Sequence, residues 1–331
     1  MITFHHIYVE RGVESHPVTR DILARVHPGR ITTIDDAQRF FKRSGQDFAR
    51  QKWAPRLILA RKSHQFLYAG SERVASFGVD RSVHYNDMVR NCLFDCDYCF
   101  LQGMHRSANI LVNVNIEDYV AAIDQHIAES GHLYLSISYL SDLLGFERHF
   151  GLVRRWIGAA RERRNLEIEV RTKSDGFSVI SDLTPHQGVV LTWSLSPDVV
   201  ARRSEAGTAA FAQRLFDARR AAQQGWRVRL CFDPIIITDR WREHYGNAID
   251  QVFRRMPPDS VEEVSFGVFR MHPDFLRRIR SFRSAESLER DVQVDDKVAA
   301  YESTVREEVF SFMQSRLHTY LASERIHAVH G

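Results

Sequence analysis

The sequence predicts an α/β protein centred on a partial (β/α)6 TIM-like barrel, with a small N-terminal α/β lead-in and a C-terminal helical extension. Strand-like runs rich in Val, Ile, Leu and Phe recur from residue 82 to residue 269, and helical patterns fill the intervals between them. The candidate strands are residues 82–86, 110–114, 133–138, 166–171, 189–194, 226–233 and 264–269. About six such βα units suit an incomplete barrel better than a closed eight-stranded one.

The helices between them carry their own signals. Ile116, Val120, Ile123 and Ile127 repeat at the 3.6 period, with Asn115 placed as an N-terminal cap and Asp118 three residues on. Phe211, Leu215 and Ala218 repeat it, and Gly225 stands where a helix must stop. Residues 1–80 form the lead-in, with a short strand at 7–9, a buried one at 56–61, and an irregular helix over 34–50 around Phe40, Phe41 and Phe48. The barrel occupies 81–270. In the extension, 271–331, Pro273 interrupts the pattern, residues 298–321 read as a closing helix, and 325–331 as a frayed tail.

Composition narrows the class. Forty-five basic and 42 acidic residues leave a net charge of +3, with a pI of about 8.7. This permits contact with a phosphate backbone without requiring it. The arginine pairs at 163–164, 219–220, 254–255 and 277–278 suit solvated helix faces as well as phosphates. No run approaches the length of a membrane span, and the start lacks the basic and apolar regions of a signal peptide. A cytoplasmic protein is expected, and four cysteines suit a reducing compartment better than a disulfide framework.

Three of those cysteines, Cys92, Cys96 and Cys99, fall within eight positions as C-x3-C-x2-C. Three thiolates in so tight a loop can wrap one face of a [4Fe–4S] cube, which usually takes four Cys ligands. The remaining iron is then open to a small molecule. A structural zinc site instead wants four tight ligands, and the fourth cysteine, Cys231, lies far off. The loop follows the first barrel strand, at the C-terminal mouth where barrel active sites are built.

The spacing, with Tyr98 just before the last cysteine, resembles the signature of the radical S-adenosylmethionine (SAM) superfamily. Within it the chain resembles the spore photoproduct lyase family over most of its length. The blocks that carry the likeness are 98–102 (YCFLQ), 112–118 (VNVNIED), 138–145 (SYLSDLLG), Thr172-Lys173, 204–208 (SEAGT) and 225–234, with Trp241 downstream. The resemblance implies a radical SAM core in which the open iron chelates SAM, and reductive cleavage of SAM gives a 5′-deoxyadenosyl radical. That radical takes a hydrogen from a thymine–thymine photolesion, and a hydrogen is later returned. It also implies SAM contacts at Ser138, Ser141, Asp142, Lys173 and Ser194. DNA is then one candidate partner, and an electron donor such as flavodoxin or ferredoxin another.

Two positions depart from the family. Tyr139 stands where the family has the cysteine that returns the hydrogen, and Phe100 replaces the tyrosine after the last cluster cysteine, while Tyr98 is kept. The basic, aromatic segment that grips the lesion is not recognisable between Arg280 and Tyr301. Tyr139 and Cys231 are the candidate hydrogen donors. Cys231 lies two residues before Asp233 on a strand, so the two share a face. Three readings follow: a lesion-directed radical SAM enzyme, one of the same ancestry acting on another substrate, and a non-catalytic iron–sulfur protein. The presence of Ser141, Asp142 and Lys173 weighs against the third.

Overall fold

The computed structural model describes residues 4–70 and 83–330. Two largely parallel sheets organise the chain. The first contains β1 (His6–Glu10), β2 (Arg30–Ile34) and β3 (Leu57–Ala60). The second opens with β4 (Val83–Tyr85), so the expected strand start at Ser82 and the lead-in boundary near residue 80 lie outside the described residues. The chain then contributes β5 (Ile110–Asn113), β6 (Leu133–Ser136), β7 (Leu166–Thr172), β8 (Val189–Ser194), β9 (Arg227–Ile235), β10 (Glu263–Val268) and β11 (Ile326–Val329).

Six of these, in the order β4-β6-β7-β8-β9-β10, lie side by side and parallel. They form the expected partial barrel. Strand β8 shows why: every residue of VVLTWS is buried, as parallel strands covered on both faces require. Strand β5 departs from expectation. Its four buried residues look like another barrel strand, yet they pair with β3, in register from Leu57–Ile110 to Ala60–Asn113. Between β4 and β6 the chain therefore makes an excursion to the first sheet, and the cysteine loop lies on that excursion.

Other differences have local causes. Asn115 makes no side-chain cap; its amide instead brackets Lys62, accepting from Lys62 N at 3.0 Å and donating to Lys62 O at 2.8 Å. Helix Ile116–Ser130 still ends at Gly131, whose φ of +80° suits a residue without a Cβ. The irregular helix of the lead-in is two short helices, Ala37–Lys42 and Phe48–Trp53, each capped by an aspartate, Asp36 and Asp47. The closing helix starts later than expected, at Ser303, because Ala299–Tyr301 pairs antiparallel with Val292–Val294 and with Arg270–Met271. The extension is thus not purely helical.

The tail is the clearest correction. Residues expected to fray form β11, parallel to β10 from Val264–Ile326 to Gly267–Val329. Burial of Val329 and the packing of helix Ser303–His318 below it anchor this strand. Alternate amides of Ile326–Val329 should therefore resist hydrogen exchange as amides at a sheet edge do, well beyond terminal rates. Exchange at the rate of a free terminus across the whole segment would remove β11 from the sheet.

Candidate active site

The cysteine loop has almost no regular structure of its own, so its shape is imposed from outside. Asn91 turns the chain into it with a φ of +68°, a conformation asparagine tolerates better than most residues. Its Nδ2 donates to Ser107 O and Asn109 O, both at 2.7 Å, and its own carbonyl accepts from Ser141 Oγ at 2.8 Å. Lys52 Nζ reaches from helix Phe48–Trp53 to Cys92 O at 2.8 Å and Phe94 O at 2.5 Å. Gln102 Nε2 donates to Cys96 O at 2.6 Å. Residues Asp95–Cys96 pair antiparallel with Glu205–Ala206, which is why the SEAGT block lies against the cysteines.

Beneath the loop is a fully buried ion pair. Glu205 meets Arg214, and both side chains are 0 % exposed. Tyr98 Oη donates to Glu205, Ser196 Oγ donates to it at 2.7 Å, and Arg214 also donates to Ser194 O at 3.0 Å and Thr208 Oγ1 at 2.6 Å. Burial alone would raise the Glu205 carboxyl; Arg214 and Lys173 outweigh it and hold the group below its usual range. From the outer side, Arg283 bonds Asp95 at 2.7 Å and Asp97 at 2.6 Å. Gly103 lets helix Pro273–Arg280 close on the loop: a Cβ there would lie 2.3 Å from Phe275 Cβ.

These constraints present the loop to a cavity of about 470 Å³ at the C-terminal ends of the barrel strands. Cys92, Cys96, Cys99, Tyr98, Ser138, Tyr139, Ser141, Asp142, Lys173 and Ser194 all line it. Cys231 does not. It is completely buried, level with Ser194 in the register, although Asp233 on the same strand lines the cavity. The alternation holds, yet Cys231 is buried among its neighbours and is not part of the lining.

The expected SAM-contacting residues differ in how free they are. Ser138 Oγ is buried without a hydrogen-bond partner. Lys173 makes no ion pair among the described residues, and its ammonium lies 5.9 Å from the centre of the Tyr98 ring. Asp142 is fully engaged. Its carboxylate accepts from Gly145 N at 2.8 Å, Thr172 Oγ1 at 2.8 Å and Lys173 N at 2.7 Å, capping helix Leu143–Phe150 and fixing the end of β7.

Much of the remaining lining is charged and was not legible as a unit. Asp233 and Arg270 pair through both ends at 2.8 and 3.1 Å. Arg171 bonds Glu169 at 3.0 Å. His272, Phe275, Lys297 and Val298 also belong to the lining, so the extension does wall the cavity despite lacking a recognisable gripping motif. The alternation of Glu169, Arg171 and Lys173 along β7 is a signal that could have found part of it. Nothing in the sequence pointed to Lys52 or Arg283.

Tyr139 packs between Tyr85, with ring centres 4.6 Å apart, and Phe100, at 5.4 Å. Burial pushes its phenol up to about 12. Burial likewise pushes the thiols of Cys92 (to about 12), Cys96 and Cys99 up, while Lys52 opposes this at Cys92 and Cys99 and Lys173 opposes it at Cys96 and Cys99. Among the described residues no three His, Cys, Asp or Glu side chains converge as on a single metal ion. A cube, bound through one thiolate on each of three irons, does not ask for that convergence. The residues present fit the cube, and the unpartnered Ser138 hydroxyl with the Lys173 ammonium, which makes no ion pair among the described residues, fit a polar, carboxylate-bearing molecule beside it.

A family model described as spore photoproduct lyase matches residues 62–281. Spore photoproduct lyase of Bacillus subtilis (strain 168) is 21 % identical over 218 residues, 62 % of this chain and 64 % of that protein. The relative from Geobacillus sp. (strain Y412MC61) is 23 % identical over 214 residues, 62 % of each chain. The match thus spans less than two thirds of these curated relatives. A solved spore photoproduct lyase complexed with dinucleoside spore photoproduct has a TM-score of 0.81 at 17 % identity, covering 100 % of this chain and 99 % of that one. These structural likenesses are of fold.

Two outcomes are expected. Arg214→Met leaves Glu205 charged and unpaired in the interior and should cost about 3–5 kcal/mol in denaturant unfolding; adding Glu205→Gln should restore most of it. No loss in the single variant contradicts the buried pair. Separately, burial, Arg90 and Arg278 lower His105 to about 3. The unfolded chain takes up that proton near 6.5, so the stabilisation is complete above about 6.5 and is lost as pH falls towards 3. Between pH 7 and 5 the parent should lose about 2 kcal/mol more than His105→Phe; equal slopes contradict this.

Proposed function

This chain belongs to the spore photoproduct lyase family, and from that premise we propose that it is a radical SAM enzyme acting on a thymine photolesion in DNA. Cys92, Cys96 and Cys99 would hold a [4Fe–4S] cluster, with SAM beside it. The observation that carries this is the meeting, in one cavity, of three free thiols with the unpartnered Ser138 hydroxyl and the Lys173 ammonium. When both groups are bound, they would supply an electron for reductive cleavage of SAM and, from it, a radical able to abstract hydrogen from the substrate.

The chain's own residues bind and orient. Lys173 is placed to pair with a carboxylate, and Ser138 and Ser194 to bond amine or ribose groups without filling the space. Asp142 acts through Lys173, whose backbone it fixes, and Ser141 through the loop it ties at Asn91. Tyr98 is committed to Glu205, so it positions the loop. The wall of Arg171, Asp233, Arg270 and Lys297 faces the substrate side. A base from DNA must leave the stack to reach such a cavity, with the flanking phosphates held by cations at its rim.

Hydrogen return favours Tyr139 over Cys231. Burial keeps both protonated, but only Tyr139 lines the cavity. The same observation supports a second reading, in which the cavity has been reshaped for a different substrate. Free thiols at all four cysteines suit a reducing cytoplasm, and no helix among the described residues is long and apolar enough to cross a membrane.

The deciding assay is anaerobic, with reconstituted protein, dithionite, SAM and dinucleoside spore photoproduct. The proposal expects 5′-deoxyadenosine together with thymine product. Tyr139→Phe should keep 5′-deoxyadenosine formation but lose most of the correctly finished product, because phenylalanine has no O–H to return. 5′-Deoxyadenosine with an intact lesion favours the second reading. Neither product contradicts both.

A further inference from the structure

The proposed chemistry needs one electron from outside the chain, and the cavity side of the cysteine loop is where substrate must enter. The loop's other side is covered by helix Phe48–Trp53. Phe48 and Lys52 share a small enclosed space with Cys92, Cys96 and Cys99, while no residue of this helix lines the cavity. Lys52 bonds the carbonyl of Cys92 itself. The next residue, Trp53, is 91 % exposed, the most exposed of the large hydrophobic side chains described.

That tryptophan lies in a basic stretch of the sequence. Residues 37–56 contain six cations (Arg39, Lys42, Arg43, Arg50, Lys52 and Arg56) against one acid, Asp47. Arg39, Lys42, Arg43 and Arg50 are exposed, and the nearby carboxylates Asp36 and Asp47 are engaged in capping the two short helices. An exposed Trp preceded and followed in sequence by cations has the composition of a docking anchor in a basic rim. Tryptophan is enriched among the anchors of protein interfaces, and charge complementarity around an anchor steers encounter and sets orientation.

We infer that this face docks an acidic one-electron carrier protein, and that the electron enters past Trp53 and Lys52 to Cys92. The inference rests on the enzymatic reading above. Redox encounters use small interfaces, so one aromatic in a charged rim suffices. One electron leaves the reduced carrier and is taken up at the group the three thiolates hold; no bond forms or breaks at the interface. A single-stranded nucleic acid could also stack on Trp53 with its phosphates on the arginines. It would then lie on a helix that contributes nothing to the cavity where its base must react.

The test compares the reconstituted parent with Trp53→Ala and with Lys42→Glu/Arg50→Glu, using an acidic flavodoxin as the probe. Binding is measured by titration calorimetry at two salt concentrations. Reduction is followed optically with reduced flavodoxin and, in parallel, with dithionite, which needs no docking surface. Both variants should bind flavodoxin at least about tenfold more weakly and be reduced by it correspondingly more slowly. Added salt should weaken the parent's binding, and dithionite-driven reduction and SAM cleavage should be unchanged.

Parent-like binding and reduction in both variants overturn the inference. So does a loss of affinity for single-stranded oligonucleotide with flavodoxin binding intact. Absence of dithionite-driven SAM cleavage in the parent would instead sink the enzymatic reading, and the calorimetric arm would still judge the surface.

Discussion

Everything in this molecule depends on holding a loop with little regular structure in one shape while three of its side chains are thiols. The buried Glu205–Arg214 pair holds it from below through Tyr98, and the same pair accepts from Ser196 and donates to Ser194 O, which ties the loop to the barrel. Removing either charge would strand the other in the interior. Lys52 and Arg283 hold the same loop from two further sides. Residues from the lead-in, the barrel and the extension therefore converge on eight positions, and the loop is where the parts of the chain become one structure.

The barrel supplies the complementary wall. Parallel strands end at one mouth, so residues at a strand's last position or one or two past it meet without any loop having to be long. Ser138, Lys173 and Ser194 reach the cavity in this way from three adjacent strands. The polar groups then sort by whether the fold already occupies them. Asp142 is saturated by backbone and threonine donors, whereas Ser138 is not satisfied at all. An unsatisfied buried hydroxyl costs stability, which a polar ligand at that position would recover.

Much of this was legible in the sequence because burial on both faces writes itself as continuous apolar runs. Strand β8 was read with its observed bounds, and β6, β7, β9 and β10 to within a few residues. The same signal failed for β5, since Ile110-Leu111-Val112-Asn113 says that a strand is buried but not which sheet buries it. β11 was missed because Ile326-His327-Ala328-Val329 is short, mixed in polarity and terminal. Within the site, clustered cysteines and strand-end hydroxyls stood out by spacing. Lys52, Arg214 and Arg283 act across 40 residues, nine residues and 186 residues of sequence. No local pattern marks a lysine that will bond a carbonyl elsewhere in the fold.

The central claim is that Cys92, Cys96 and Cys99 hold three corners of an iron–sulfur cube and leave the fourth to SAM. Electron paramagnetic resonance of the anaerobically reconstituted, reduced protein tests it directly. The account predicts about four irons per chain, a cubane signal whose shape changes when SAM is added, and loss of that signal in each single Cys→Ala variant of the three but not in Cys231→Ala. A spectrum indifferent to SAM, or a metal content of zinc without iron, would contradict it.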